Sequence, residues 1–355
     1  MFELNKILRE NIRQLVPYSS ARDEYKGREG IFLDANENSY GSPLPENFNR
    51  YPDPMQVLVK EKIGKLKNVD PAEIFIGNGS DEAIDILFRS FCAPGKDNAI
   101  ICPPTYGMYE VSANVNDVAV KKVSLQRKSF QPDVKRILAA VDPYTKLVFI
   151  CSPNNPTGNI IEKAAIEQLL REFKGIVVLD EAYADFSGQS FLAELREYPN
   201  LVILQTFSKA WGMAGLRVGM AFASAEIVAV FNKVKPPYNV NVLSQELVLT
   251  ALENEKNVKK TIERLVSERE RLASALVQFS IVETVYPSDA NFILLKVKDA
   301  SVIYRRLVSE KLIVRDRSNV RLCEDCLRIT IGTKAENDRV ITLLKRYEYE
   351  KSIVY

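Results

Sequence analysis

LVILQTFSKAWGMAGLR, residues 201–217, begins as an apolar run and ends in a loop dense in small residues. A short apolar run closed by Gly and polar residues reads as a buried strand. The loop behind it lets a ligand come close to the backbone. It sets Lys209 at the strand end, with Ser208 before it and Arg217 beyond a Gly-containing turn. A lysine so placed suits imine formation beside a bound phosphate. Taken alone, it would read as a surface lysine in a turn.

Outward from this run the same pattern recurs. Apolar stretches at Ile74 to Ile76, Ala99 to Cys102, Leu147 to Cys151, Ile176 to Leu179 and Val218 to Phe222 are each closed by Pro, Gly or polar residues. Asp81 to Phe91 and Glu162 to Phe173 instead space their apolar residues three and four apart, as helices do. Strand alternating with helix predicts an α/β fold, a mostly parallel sheet covered by helices on both faces. Around Lys235, Pro236 and Pro237 the pattern breaks, and a long amphipathic stretch, Asn257 to Phe279, follows. Strands at Phe292 to Val297 and Leu327 to Ile331, a helix at Val302 to Glu310 and another near the end predict a second, smaller α+β domain. A chain of 355 residues exceeds what one hydrophobic core usually serves, which agrees with two lobes.

Lys plus Arg number 48 against 46 Asp plus Glu, so no basic excess points to nucleic acid. No apolar run is long enough to span a bilayer, and Met1 to Tyr18 mixes charges with isolated apolar residues, unlike a secretory signal. A cytoplasmic location is the expectation. The chain has no histidine, which excludes Ser-His-Asp and Cys-His catalysis and most transition-metal sites. The five cysteines read as reduced thiols, and Cys323 with Cys326 form one CxxC without a second pair to complete a metal site. Chemistry must therefore come from Lys, Tyr, Asp, Glu, Arg or a cofactor.

Three further strand ends offer such groups. GIVVLDEAY, residues 175–183, closes in Asp180, and ligands of open α/β sheets bind beyond the carboxyl ends of strands. A buried aspartate there could keep a pyridine nitrogen protonated. It could equally be a Mg²⁺-binding acid, although no GxxxxGK[ST] loop accompanies it. GNGSDE, residues 77–82, joins a strand to a helix whose free N–H groups make an anion cradle, or an ordinary helix cap. CSPNNPTG, residues 151–158, presents Asn155 from a proline-fixed turn, where its amide could donate to a phenolate oxygen opposite Tyr183.

Together, in this order and spacing, these segments resemble the fold type I pyridoxal-phosphate-dependent aminotransferases. The resemblance runs from about Pro17 to Thr333 and is closest to the histidinol-phosphate aminotransferases. It rests further on PYSSAR at Pro17 to Arg22, LDANEN at Leu33 to Asn38, RYPDP at Arg50 to Pro54, PPTYGMY at Pro103 to Tyr109 and LRITIGT at Leu327 to Thr333. Ser39, where a proline is expected, and Met213, where a leucine is expected, depart from the pattern without touching a functional position.

The resemblance implies pyridoxal 5'-phosphate as cofactor, bound as a Schiff base on Lys209. Asp180 would pair with the ring nitrogen, Asn155 and Tyr183 would hold the ring oxygen, and Tyr106 would stack on the ring. Gly79, Ser80, Asp81, Ser208 and Arg217 would hold the phosphate, joined by Tyr51 reaching across a homodimer interface. Arg328 would receive the substrate carboxylate, Arg315 would be a second anion anchor, and Tyr18 would close over the same anion; planar bidentate recognition suits arginine there. The alternative for Arg315 is a surface ion pair with Asp316 or Glu324. The implied substrates are L-histidinol phosphate and 2-oxoglutarate, giving imidazole acetol phosphate and glutamate in histidine biosynthesis. The implied division is residues 1–40 as a segment on the small domain and the dimer partner, 41–240 as the large cofactor-binding domain, and 241–355 as the small one. Alternatives are an aromatic amino-acid aminotransferase or threonine-phosphate decarboxylase on the same fold, and a non-catalytic cofactor-binding regulator.

Overall fold

The computed structural model describes residues 2–18, 30–46 and 48–353, so residues 19–22 of the PYSSAR segment lie outside the described residues. Seven strands form the large sheet: β1 (Ile74–Asn78), β2 (Asn98–Ile101), β3 (Ala119–Lys122), β4 (Thr145–Cys151), β5 (Ile176–Asp180), β6 (Leu201–Thr206) and β7 (Val218–Phe222). Their order is β1-β7-β6-β5-β4-β2-β3, and β7 alone runs antiparallel to its neighbours.

The strands read as unbroken apolar runs because both faces of the sheet are covered. Ile76, Val148, Val177 and Ile203 enter one core, while their chain neighbours Phe75, Phe149, Val178 and Val202 enter the core on the opposite face. Each such side chain contributes about 1.5–3 kcal/mol by leaving water. β3 is the strand the sequence pattern does not announce. Its residues AVKK are exposed or half-buried at the sheet edge, where lysines discourage pairing with another chain.

The smaller sheet has β8 (Val282–Val285), β9 (Phe292–Val297), β10 (Arg315–Asp316) and β11 (Cys326–Thr330), antiparallel in the order β10-β11-β9-β8. Ile293, Leu295 and Val297 of β9 pack with Leu272, Leu276, Ile303 and Leu344 from the helices Glu255–Leu276, Ala300–Ser309 and Lys334–Ile353. The opposite face of β9 carries Phe292, which packs on Tyr183, Phe186 and Ala210 of the large lobe. One face of the small sheet thus builds its own core and the other faces the large lobe.

Two expectations about packing are corrected. The helix Val242–Glu253 belongs with the large lobe: Val248 is in its core, Leu249 and Leu252 pack against it, and Ser244 Oγ donates to the Leu216 carbonyl at 3.0 Å. The N-terminal helices Leu4–Ile7 and Glu10–Gln14, expected on the small domain, pack on the large one. Their apolar stripe of Leu4, Ile7, Leu8 and Ile12 meets the core containing Phe88 and Phe231. Arg9 Nη1 donates to the Arg89 carbonyl at 2.7 Å and fixes the approach. Among the described residues, no helix is long and apolar enough to cross a membrane.

Candidate active site

Parallel β4, β5 and β6 carry their carboxyl ends to the same edge of the sheet, with Cys151 opposite Asp180 and Asp180 opposite Leu204. The loops leaving those ends surround a cavity of about 850 Å³. From the large lobe it is lined by Gly79, Ser80, Asp81, Tyr106, Asn155, Asp180, Tyr183, Ser208, Lys209 and Arg217; from the small lobe come Arg315 and Arg328. Tyr18 and Tyr51 do not line it; both are exposed, and Tyr51 stacks on Tyr238 with ring centroids 4.5 Å apart.

At the floor, Asp180 is buried and accepts from Tyr109 Oη at 2.6 Å and from the Ala182 N–H at 3.0 Å. Burial raises its pKa, and the bond from Tyr109 opposes that rise. Glu181 points to the other side of the strand, where Ser190, Phe191 and Gln205 satisfy it and burial pushes its pKa up to about 7. Of the two adjacent acids, only Asp180 addresses the cavity. Lys209 Nζ lies 5.6 Å from the centre of the Tyr183 ring. Its pKa is lowered, first by the walls around it and then by Arg328, while Asp180 acts the other way.

One end of the cavity is an anion cradle. The helix Ser80–Phe91 begins without a side-chain cap, so its first N–H groups remain available to a ligand. Two glycines make the approach possible. Gly79 has φ +74°, and a Cβ there would lie 2.9 Å from Arg217 Nη2; a Cβ on Gly219 would lie 2.2 Å from the Ser80 nitrogen. Arg217 Nη1 donates to Ser208 Oγ at 3.4 Å, and Nη2 lies 3.5 Å from Asp81. Asp81 also accepts from Tyr106 Oη at 3.2 Å. Its carboxylate therefore orients Arg217 and Tyr106, and only its backbone N–H suits an anion.

The opposite end is built from both lobes. Arg328 donates to Asn155 Oδ1, and its guanidinium sits 5.1 Å over the Phe292 ring. Phe292 in turn meets Tyr183 edge to face at 5.1 Å, and Asn155 Nδ2 donates to Tyr183 Oη at 3.4 Å. Arg315 faces Arg328 directly across the β10–β11 pair.

The sequence profile described as "Aminotransferase class I and II" matches residues 34–344. The chain belongs to this aminotransferase family. The aminotransferase is 55% identical to the histidinol-phosphate aminotransferase of Cytophaga hutchinsonii over 98% of this chain and 99% of the relative. It is 52% identical to that of Bacteroides thetaiotaomicron, over 98% of this chain and 100% of the relative. Among solved structures, the histidinol-phosphate aminotransferase from Clostridium acetobutylicum superposes with a TM-score of 0.79 at 25% identity, covering 85% of this chain and 92% of that one.

The aminotransferase has two residues to which sequence reasoning gave no task, Tyr109 buried behind Asp180 and Arg317 on the cavity wall. Tyr109 lies within the quoted PPTYGMY segment, but nothing in its spacing says which tyrosine reaches Asp180. Arg317 lines the cavity beside Arg315; its signal was the alternation of an extended chain, which returns residue i+2 to the same face.

Proposed function

We propose that this aminotransferase moves an amino group between L-histidinol phosphate and 2-oxoglutarate, a step of histidine biosynthesis, with pyridoxal 5'-phosphate held on Lys209. The cavity's own features fit that cofactor. An uncapped helix start narrowed by glycines suits its phosphate, and the buried acid Asp180 suits its ring nitrogen. When bound, the cofactor supplies an electron sink for the bond broken at the carbon bearing the amino group.

The chain's residues do the rest. Asp180 holds a proton at the ring nitrogen, and Tyr109 aims that carboxylate by donating to it and opposes the rise that burial causes. Lys209, whose pKa is lowered by burial and by Arg328, carries the proton to and from the reacting carbon. Gly79, Ser80, Ser208 and Arg217 hold the phosphate, with Asp81 orienting Arg217. Tyr106 covers the ring, and Asn155 and Tyr183 meet its oxygen. Arg328 and Arg315 grip the anionic end of the substrate.

The observation that carries the substrate assignment is that cross-strand pair. Two guanidinium groups face each other at the substrate end, and neither has an ion pair to a carboxylate among the described residues; Arg315 takes neither Asp316 nor Glu324. A carboxylate needs one such group, whereas a phosphate dianion uses two. The identity to histidinol-phosphate aminotransferases over nearly the full chain supports the same choice.

In this reading the enzyme is a cytoplasmic homodimer whose Tyr51 reaches the partner's cofactor phosphate and whose Tyr18 closes over the substrate anion. Exposed Leu58, Leu243 and Leu247, on neighbouring helices outside the cavity, support a protein partner. The cofactor domain then spans residue 41 to about residue 253, with the substrate arginines on the lobe that follows.

Two measurements test the proposal. Borohydride reduction of the cofactor-loaded enzyme should fix the cofactor to Lys209, and an intact protein without that adduct would remove the mechanism. Across histidinol phosphate, histidinol, phenylalanine and threonine phosphate, kcat/KM should favour histidinol phosphate over histidinol by roughly a hundredfold or more. Equal values for these two would remove the substrate assignment alone.

A further inference from the structure

The small-lobe wall of the cavity holds a third guanidinium with no task in the scheme above. Arg317 lies two residues beyond Arg315, and its N–H donates to the Cys326 carbonyl at 2.8 Å, extending the β10–β11 ladder by one rung. The alternation of extended chain returns its side chain to the face that carries Arg315 and Arg328. All three line the cavity.

Their neighbours do not balance them. The Nε atoms of Arg317 and Arg328 are buried without a hydrogen-bond partner among the described residues. Arg328 has Asn155, a neutral amide, and the Phe292 ring. Burial lowers the pKa of both groups, and each is further depressed by a neighbouring arginine: Arg317 by Arg315, Arg328 by Arg317. A guanidinium does not give up its proton under ordinary conditions, so this repulsion persists until an anion enters. Like charges opposed on a sheet face weaken the pairing, and buried donors without acceptors add to the cost. Such a cluster is suited to a ligand with more charge and more acceptor oxygens than a carboxylate. A phosphate monoester, near two negative charges at neutral pH and with three free oxygens, meets both requirements.

We propose that Arg317 is a specificity-determining residue that binds the phosphate of the phosphorylated amino donor together with Arg315, and so separates that donor from carboxylate-only substrates. This rests on the substrate class proposed above and adds a residue to it. Glutamate engages Arg328 and leaves Arg317 unused.

The test compares wild type, Arg317→Gln and Arg317→Lys as cofactor-loaded enzymes. KM for histidinol phosphate should rise about tenfold to a hundredfold in Arg317→Gln, the loss of a charge-assisted hydrogen bond, with kcat changed less than about threefold. KM for glutamate should stay within about threefold, and Arg317→Lys should recover part of the loss. Inorganic phosphate, titrated as a competitor of the phosphorylated donor, should bind Arg317→Gln more weakly by a similar factor. Equal losses on both donors, or unchanged phosphate inhibition, would overturn the role of Arg317. So would an effect confined to the cofactor's absorbance and its pH profile. A wild type indifferent to the phosphate would overturn the substrate class and this inference together.

Discussion

Asp180 and Glu181 are adjacent and both buried, yet the alternation of β5 gives them different surroundings. Glu181 has three donors and no access to the cavity, while Asp180 has Tyr109, the Ala182 N–H and an open side. Burial raises the pKa of Asp180, and the hydroxyl of Tyr109 is first among the groups that oppose that rise. Tyr109→Phe should leave the ring stacked on Phe149, with centroids 4.8 Å apart, and remove only that donor. Asp180 then becomes a better base and competes for the proton it should hold at the ring nitrogen. The expected result is a fall in kcat of roughly tenfold, equivalent to about 1.4 kcal/mol of barrier, with donor KM little changed. Steady-state kinetics at saturating cofactor check it, and a KM effect without a kcat effect would contradict the assignment. Most residues around the cavity were legible because they end apolar strands. Tyr109 was not, because its task depends on a helix bringing it beneath a strand distant in sequence.

Strands buried on both faces announce themselves in sequence, as β4, β5 and β6 do. β3, β8 and β10 do not, because their exposed or half-buried residues carry no apolar run. This matters for function, since β10 is only Arg315 and Asp316 yet sets Arg315 opposite Arg328. Pairing between elements also explains a glycine that pattern alone leaves mute. β7 runs antiparallel beside β1, and Gly219 passes the start of the helix Ser80–Phe91 so closely that a Cβ would lie 2.2 Å from the Ser80 nitrogen. Gly219→Ala should push that helix start away and spoil the anion cradle. Overpacking of this kind costs about 1–3 kcal/mol of stability. Cofactor affinity, followed by fluorescence titration, should weaken by tenfold or more, with activity partly recovered at high cofactor concentration. Unchanged affinity would mean that the cofactor phosphate lies elsewhere.

At the scale of the whole molecule, the lysine and the arginines belong to different lobes, so their spacing depends on how the lobes meet. The alternation of elements made two lobes legible, but the seam is not where the prolines suggested, because the helix Val242–Glu253 finds its apolar partners on the large lobe. One junction is narrow. The Asp289 N–H donates to the Gly158 carbonyl at 2.7 Å, and the Ile160 N–H donates to Asp289 Oδ2 at 3.1 Å. Gly158 has φ +86°, and a Cβ there would meet Ser288 Oγ at 2.4 Å. That hydroxyl donates to the carbonyl of Phe292, the residue whose ring supports Arg328. Gly158→Ala combines backbone strain, on the order of 1–3 kcal/mol, with a clash that displaces the small-lobe wall. The anion cradle lies on the large lobe at the other end of the cavity and should not sense it. KM for both amino donors should therefore rise by about tenfold while cofactor affinity stays within about twofold, measured by initial rates and by titration of the same preparation. Parallel losses of donor and cofactor binding would show that the two lobes respond as one body and that the seam does not set the distance between Lys209 and the arginines.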